Sequence, residues 1–384
     1  MGDWEENPSL SSLGKASGLE AAADTQYEVW AAGYNWLQSN RDSAEDIINY
    51  INKTVIPHYK GKADGVIIVT HSMGGLVARA IVACHGFENA RGIIHGAMPA
   101  TGASASYKRV RAGFEAFGEK KILGRDGADG VAVMAFAPGP LELLPTRDYN
   151  NAQPWLFTRD RKTGAKTLGL PQKCPYEEIY KSDRWWALIP ENNKLMDPAN
   201  IISTKISNDD DEGFHQSGSR LRDTFHHTID LVKGFHDDIE GKYHTSTYVH
   251  YSAESKSEDL FTWGNLEWSA ASLDGLDALT AKLTSDNLDA CNSLNGLYEL
   301  EVSDPVHAGD GTVPVYSSAS PRGKAGVLGA FAHGQNNGLL NNHCRIGKYN
   351  CSVGYKHQDA YNDEAGRSTF ATLYGLIRLS APQA

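Results

Sequence analysis

Between Gly65 and Cys84 the chain reads GVIIVTHSMGGLVARAIVAC, and this stretch constrains the fold more than any other. Val66 to Val69 is an unbroken β-branched run, the pattern of a strand buried on both faces of a parallel sheet. Leu76, Val77, Ala80, Ile81 and Val82 then recur at helical spacing. A strand that turns into a helix within a few residues lifts the residue at the turn above the carboxyl edge of its sheet, and Ser72 stands there. Gly74 and Gly75 relieve the crowding of so sharp a turn, and Gly74 fills the second glycine of the G-x-S-x-G pattern, while Thr70 takes the place of the first. The stretch predicts an α/β fold with a serine nucleophile at an elbow, and Met73 as the residue whose backbone N–H faces the developing oxyanion.

Composition narrows the partners. At 384 residues, 41% hydrophobic and 22% charged, the chain has enough apolar material for a large core. Its formal charge of −11 repels phosphate backbones, which excludes nucleic acid as a general partner and gives no attraction to anionic membranes. The start, Met1-Gly2-Asp3-Trp4-Glu5-Glu6, carries neither a secretory signal nor a myristoylation site, and no apolar run is long enough to span a bilayer. Contact with lipid is therefore expected to be peripheral. The expected location is cytoplasmic, or outside the cell through a secretion system that reads no signal peptide. Five cysteines at irregular spacing argue against a disulfide framework and a paired zinc site, although Cys344 and Cys351 are close enough in sequence to close a short loop.

Thr70-His71-Ser72-Met73-Gly74-Gly75 resembles the elbow of lipases and of the GPI inositol-deacylase-like and lecithin:cholesterol acyltransferase-like α/β hydrolases. Tyr34-Asn35-Trp36 is similar to a Tyr-Asp-Trp of those families, and PGPLELLP (138–145) and PWL (154–156) resemble their lid segments. The stretch from Met98 to Glu115 resembles a bacterial branch of type VI secretion effectors. The resemblance implies an α/β-hydrolase fold with a mostly parallel, doubly wound sheet, no cofactor, and a catalytic acid and base that follow the serine in chain order. Gly309-Asp310-Gly311-Thr312-Val313 resembles the acid loop of the acyltransferase-like family, which makes Asp310 the acid. Strands are expected at Thr245–Tyr251 and Leu297–Val302, leading into that loop. Among 14 histidines, His307, His333, His343 and His357 fall in the right region. Related lipases place the base just before the terminal helix, which favours His357; Phe370, Leu373, Leu376 and Ile377 would pack that helix on the sheet.

The chain departs from the pattern at its start. Tyr27–Ala32 reads as a strand and Asn40–Ile51 as a capped amphipathic helix running into the elbow strand. Residues 1–25 hold no apolar strand and no His-Gly oxyanion loop. Because a missing central strand would leave ladder groups unpaired, the expectation is that the chain is the C-terminal part of a longer polypeptide.

About 150 residues separate the strand at Gly92–Gly96 from that near Val249, far beyond an ordinary loop. Residues 101–240 are therefore expected to form a large, mainly helical cap on a core made of 1–100 and 241–384. One cap helix is legible from Leu221, Phe225, Ile229, Val232, Phe235 and Ile239. Trp155, Trp185, Trp186 and Phe214 are candidates either for an acyl-chain pocket or for the cap's own core. Trp155 and Trp185, with His71 beside the nucleophile, are the candidate substrate contacts. Asp209-Asp210-Asp211 lacks the spacing of a calcium loop and His226-His227 diverge on a helix, so no metal is expected. The function expected is cleavage of lipid carboxylic esters, as a lipase or phospholipase. An acyltransferase or non-lipid esterase with the same triad, and a non-catalytic binding protein on this fold, stand as alternatives. As a secretion effector the chain would also meet an immunity or delivery protein.

Overall fold

The β-branched run forms strand β1, Val66–His71, of a parallel sheet with β2 (Ala90–Gly96), β5 (Thr247–Ser252) and β9 (Val327–His333) in the order β1-β2-β5-β9. The structure, a computed structural model, describes residues 19–114, 127–160, 163–184, 186–189, 196–197, 199–208, 217–254, 262, 264–270, 290–293, 296–302, 307–334, 345–346, 349–350, 354–361 and 367–380. Every strand of this sheet points its carboxyl end the same way, so His71, Gly96, Ser252 and His333 end on one edge. Strand β5 is buried along its whole length, as a strand covered on both faces must be.

Helices cover both faces. On one, Ala44, Ile47 and Ile51 meet Leu76, Val77, Ala80 and Ile81 of the elbow helix, Gly74–Ala83. On the other, the terminal helix, Arg367–Ser380, packs Ala371 and Leu379 against Ile94, Tyr248 and Phe331. Burying a large aliphatic or aromatic side chain contributes roughly 1.5–3 kcal/mol, so these two seams hold the sheet between its layers. The terminal helix corrects one expectation: Leu373 is 37% exposed. The helix approaches through small residues instead, since a Cβ on Gly375 would stand 2.9 Å from Ile94 Cδ1, and this close approach turns Leu373 outward. Phe370 lies where no side chain is described.

Tyr27–Ala32, expected as a strand, has no strand conformation; Val29 is 98% exposed and β1 has β2 as its ladder partner. Strand propensity alone does not hold an extended segment; a ladder partner does.

The insertion is richer than a helical cap. It contains the helices Ser104–Ala112, Gly127–Met134 and Ser217–Ile239, but also β3 (Leu156–Asp160) and β4 (Lys166–Leu170). These join β6 (Leu266–Ala270), β7 (Ala290–Ser293) and β8 (Gly296–Val302) in a second sheet of order β4-β3-β6-β8-β7. Residues from after the expected cap therefore complete the accessory layer, and Leu297–Val302 pairs there, not in the parallel sheet ahead of the acid loop. The long helix 217–239 ties the layers together. Its Leu221, Phe225, Ile229 and Val232 enter the accessory core, while Phe235 and Ile239 enter the core around the elbow helix. No helix among the described residues is long and apolar enough to cross a membrane.

Candidate active site

The elbow is built from a residue that L-chemistry resists. Ser72 has φ +51°, a left-handed backbone costing on the order of 1–2 kcal/mol for a residue with a Cβ. Neighbouring bonds hold it there: the Ser72 N–H donates to the Gly96 carbonyl at 2.9 Å, and the Gly75 N–H to the Ser72 carbonyl at 2.9 Å. The two glycines differ in what they permit. A Cβ on Gly74 would make only ordinary contacts, whereas one on Gly75 would stand 2.5 Å from Met98 Cγ. The amide of Met73 opens the elbow helix, where backbone N–H groups have no helical partner and favour negative charge.

Three side chains from distant segments meet at this edge. His357 Nε2 lies 2.8 Å from Ser72 Oγ, and His357 Nδ1 lies 2.8 Å from Asp310 Oδ2. Because an ionised carboxylate only accepts, Nδ1 carries the hydrogen and Nε2 offers its lone pair to the serine hydroxyl. Asp310 is 2% exposed, and its other oxygen accepts the backbone N–H groups of Thr312 at 2.9 Å and Val313 at 2.7 Å. The Asp310 carbonyl in turn accepts the His357 N–H at 2.7 Å. Side chain and main chain of the aspartate thus both hold the histidine. The arrangement can withdraw a proton from Ser72 and stabilise the cation that results.

Comparison with known proteins bears on the fold that carries this edge. The family model of the PGAP1-like alpha/beta domain matches residues 20–160, which include the elbow. Among solved structures, a chain of the crystal structure of the Tle4–Tli4 complex is 35% identical and superposes with a TM-score of 0.77, the match covering 95% of this chain and 71% of that one. No curated protein matches.

The chain belongs to the α/β hydrolases.

Around this candidate site lies a set of mostly buried rings that sequence reasoning largely missed. Tyr355 and Tyr361 bracket His357: the Tyr355 hydroxyl is 2.9 Å from His250 Nδ1, and that of Tyr361 donates to the Thr70 carbonyl at 2.8 Å. Their only signal was their presence in GYKHQDAY around the base. His95 Nδ1 meets Thr70 Oγ1 at 2.8 Å. Burial and the nearby Arg79 guanidinium push its pKa down to about 3, and burial with neighbouring imidazoles holds that of His250 well below its ordinary value. His71, expected to touch substrate, instead has Nε2 2.8 Å from the His357 carbonyl, and burial lowers its pKa.

The other sequence candidates fall elsewhere. Trp155 is fully buried edge-on to Tyr107 and Tyr149 in the accessory core, directly before β3. Trp185, His343 and the Cys344–Cys351 pair lie outside the described residues. His333 packs beside His250 and Tyr355, and His307 against Tyr316. A cavity of about 630 Å³ among the described residues starts one turn down the elbow helix at Leu76 and Arg79 and runs past Glu142 and Arg147; neither Ser72 nor His357 lines it. The convergent hydrogen-bonded groups, not this volume, mark the candidate site.

Proposed function

We propose that the chain is a serine hydrolase of lipid carboxylic esters, a lipase or phospholipase, with Ser72 as nucleophile, His357 as general base and Asp310 as the acid that orients it. The observation that carries this is the unbroken chain from Asp310 Oδ2 through His357 to Ser72 Oγ, ending at a serine held in a left-handed elbow. His357 takes the hydroxyl proton as Ser72 Oγ attacks the ester carbonyl, a step in which a positioned base contributes roughly 10²–10⁴-fold. Asp310 stabilises the imidazolium, and the Met73 N–H receives the oxyanion. The imidazolium then protonates the departing alcohol, leaving an acyl-Ser72. A water deprotonated by His357 releases the fatty acid. Family membership supports the lipid class of the ester; the elbow and triad alone fit any carboxylic ester.

The 35% identity to a chain of the Tle4–Tli4 complex supports a second element: a lipase effector of a type VI secretion system that is held by a dedicated partner protein. The decisive experiment pairs a fluorophosphonate probe with lipid extracts. The wild-type protein is expected to label covalently and to release free fatty acid and lysolipid, and Ser72→Ala to do neither. Equal labelling and turnover by Ser72→Ala would overturn the assignment, and cleavage confined to short soluble esters would replace lipase by general esterase.

A further inference from the structure

The hydrogen bonds of the triad fix the His357 imidazole at its two nitrogens, but an imidazole is only as well placed as the main chain that bears it. Two bonds hold that main chain. The His357 N–H donates to the Asp310 carbonyl, and the His357 carbonyl lies 2.8 Å from His71 Nε2. A carbonyl accepts only, so His71 Nε2 carries the hydrogen. His71 is the residue directly before the nucleophile at the end of β1, so the strand end that aims Ser72 Oγ also grips the residue that must deprotonate it.

We propose that His71 is a positioning residue for the base: its ring N–H holds the His357 carbonyl and so sets the imidazole at hydrogen-bond distance from Ser72. This rests on the serine-hydrolase reading above. The surroundings are built for that task. In register, His71 stands opposite Gly96 and Gly96 opposite His250, so the edge has a gap between two imidazoles. A Cβ on Gly96 would stand 2.7 Å from both the His250 ring and the Tyr361 ring, which fill the gap. Tyr361 then supports His71 from the side, with ring centroids 6.4 Å apart, while its hydroxyl ties down the Thr70 carbonyl one residue away. The His71 ring is 4.9 Å from that of His357, too crowded for two cations. Asp310, His250, His357 and Tyr361 are titratable groups around it, and burial lowers the His71 pKa, favouring the neutral form that has a single N–H.

The test uses three variants of the full chain, assayed with a p-nitrophenyl ester and by the rate of fluorophosphonate labelling. His71→Phe keeps a ring and removes the donor; His71→Gln places an amide N–H near the Nε2 position; His71→Asn is too short to reach. A misplacement of about 1 Å costs on the order of 100-fold in rate, so His71→Phe and His71→Asn are expected to lose about 10- to 100-fold in kcat with KM within about twofold. His71→Gln is expected to recover most of that loss. The proposal is overturned by kcat within threefold of wild type in His71→Phe, by a loss confined to KM, which would return His71 to the substrate, or by His71→Gln and His71→Asn behaving alike. If His71→Phe does not fold, the comparison of Gln with Asn carries the decision. Ser72→Ala in the same assays separates this outcome from failure of the triad itself: labelling of that variant removes the nucleophile assignment, whatever the His71 series does.

Discussion

The parallel-sheet layer and the accessory layer bury polar rings by opposite means. Beneath the site, His95, His250 and His357 are buried imidazoles that meet hydroxyls or a carboxylate. In the accessory layer three buried phenols donate to backbone carbonyls: Tyr107 to Trp186, Tyr149 to Gly264 and Tyr180 to Pro145, at 2.6–2.9 Å. A phenol is neutral across the working range, and burial raises the pKa of Tyr149 and Tyr180 further. An imidazole has its ordinary pKa near 6.5, so burial must hold it neutral against mild acid. The site layer thus contains chemistry that can move protons and is exposed to pH. The accessory phenols are a scaffold that stays uncharged over the same range.

The largest effect expected tests whether the site layer is chemical at all. Ser72→Ala and His357→Ala should each lower kcat about 10⁴-fold or more, and Asp310→Asn roughly 10³–10⁴-fold, with melting temperatures little changed. Retained turnover in any of them would reduce the buried imidazoles to packing.

Next comes acid stability. His95, at about 3, and His236, at about 4, have folded pKa values depressed from 6.5 by burial, and His250 joins them in direction. The unfolded chain takes up these protons below pH 6.5 and the folded one does not. Stability is therefore complete above pH 6.5 and falls as pH drops towards 4, by about 1.4 kcal/mol per pH unit for each imidazole. Glu142 has the opposite sign: burial raises its folded pKa from 4.5 to about 7, so its contribution is lost as pH rises through that window. Urea unfolding at pH 8, 6 and 4.5 should show a net fall in acid, and His95→Gln should shallow it. A flat profile would break the contrast between the layers.

Smaller is the effect at Gly75. Gly75→Ala is expected to cost about 1–3 kcal/mol by thermal unfolding, because the added methyl must displace buried Met98. A neutral result would mean that the elbow has slack. Smallest is Tyr180→Phe, which removes one hydroxyl from the accessory core and leaves the Pro145 carbonyl without it; about 1 kcal/mol is expected, equal at pH 8 and pH 5. A loss that grows in acid would tie this phenol to a titrating group.

Legibility followed the range of the interaction. The face of the helix 217–239 was readable in every residue, Leu221 to Ile239, because helical spacing is a property of adjacent turns. The terminal helix was read with Leu373 on the wrong side, because its close approach depends on where Ile94 of another strand stands. Leu297–Val302 was legible as a strand but not as a member of the second sheet, since ladder partners are chosen among distant segments.

By itself the sequence determined the elbow, which rests on backbone sterics carried within a few residues, whereas the glycine-flanked acid and the histidine ahead of the terminal helix were legible only through resemblance to the motifs of related hydrolases. Only the tertiary structure decided that groups 285 and 47 positions apart would meet at 2.8 Å, and that His71 would turn to the base loop while Trp155 sank into a core. Local conformation is written in neighbouring residues. Which ring faces which across a sheet depends on the pairing of strands and the space left by residues such as Gly96, and that space exists only once the chain has folded.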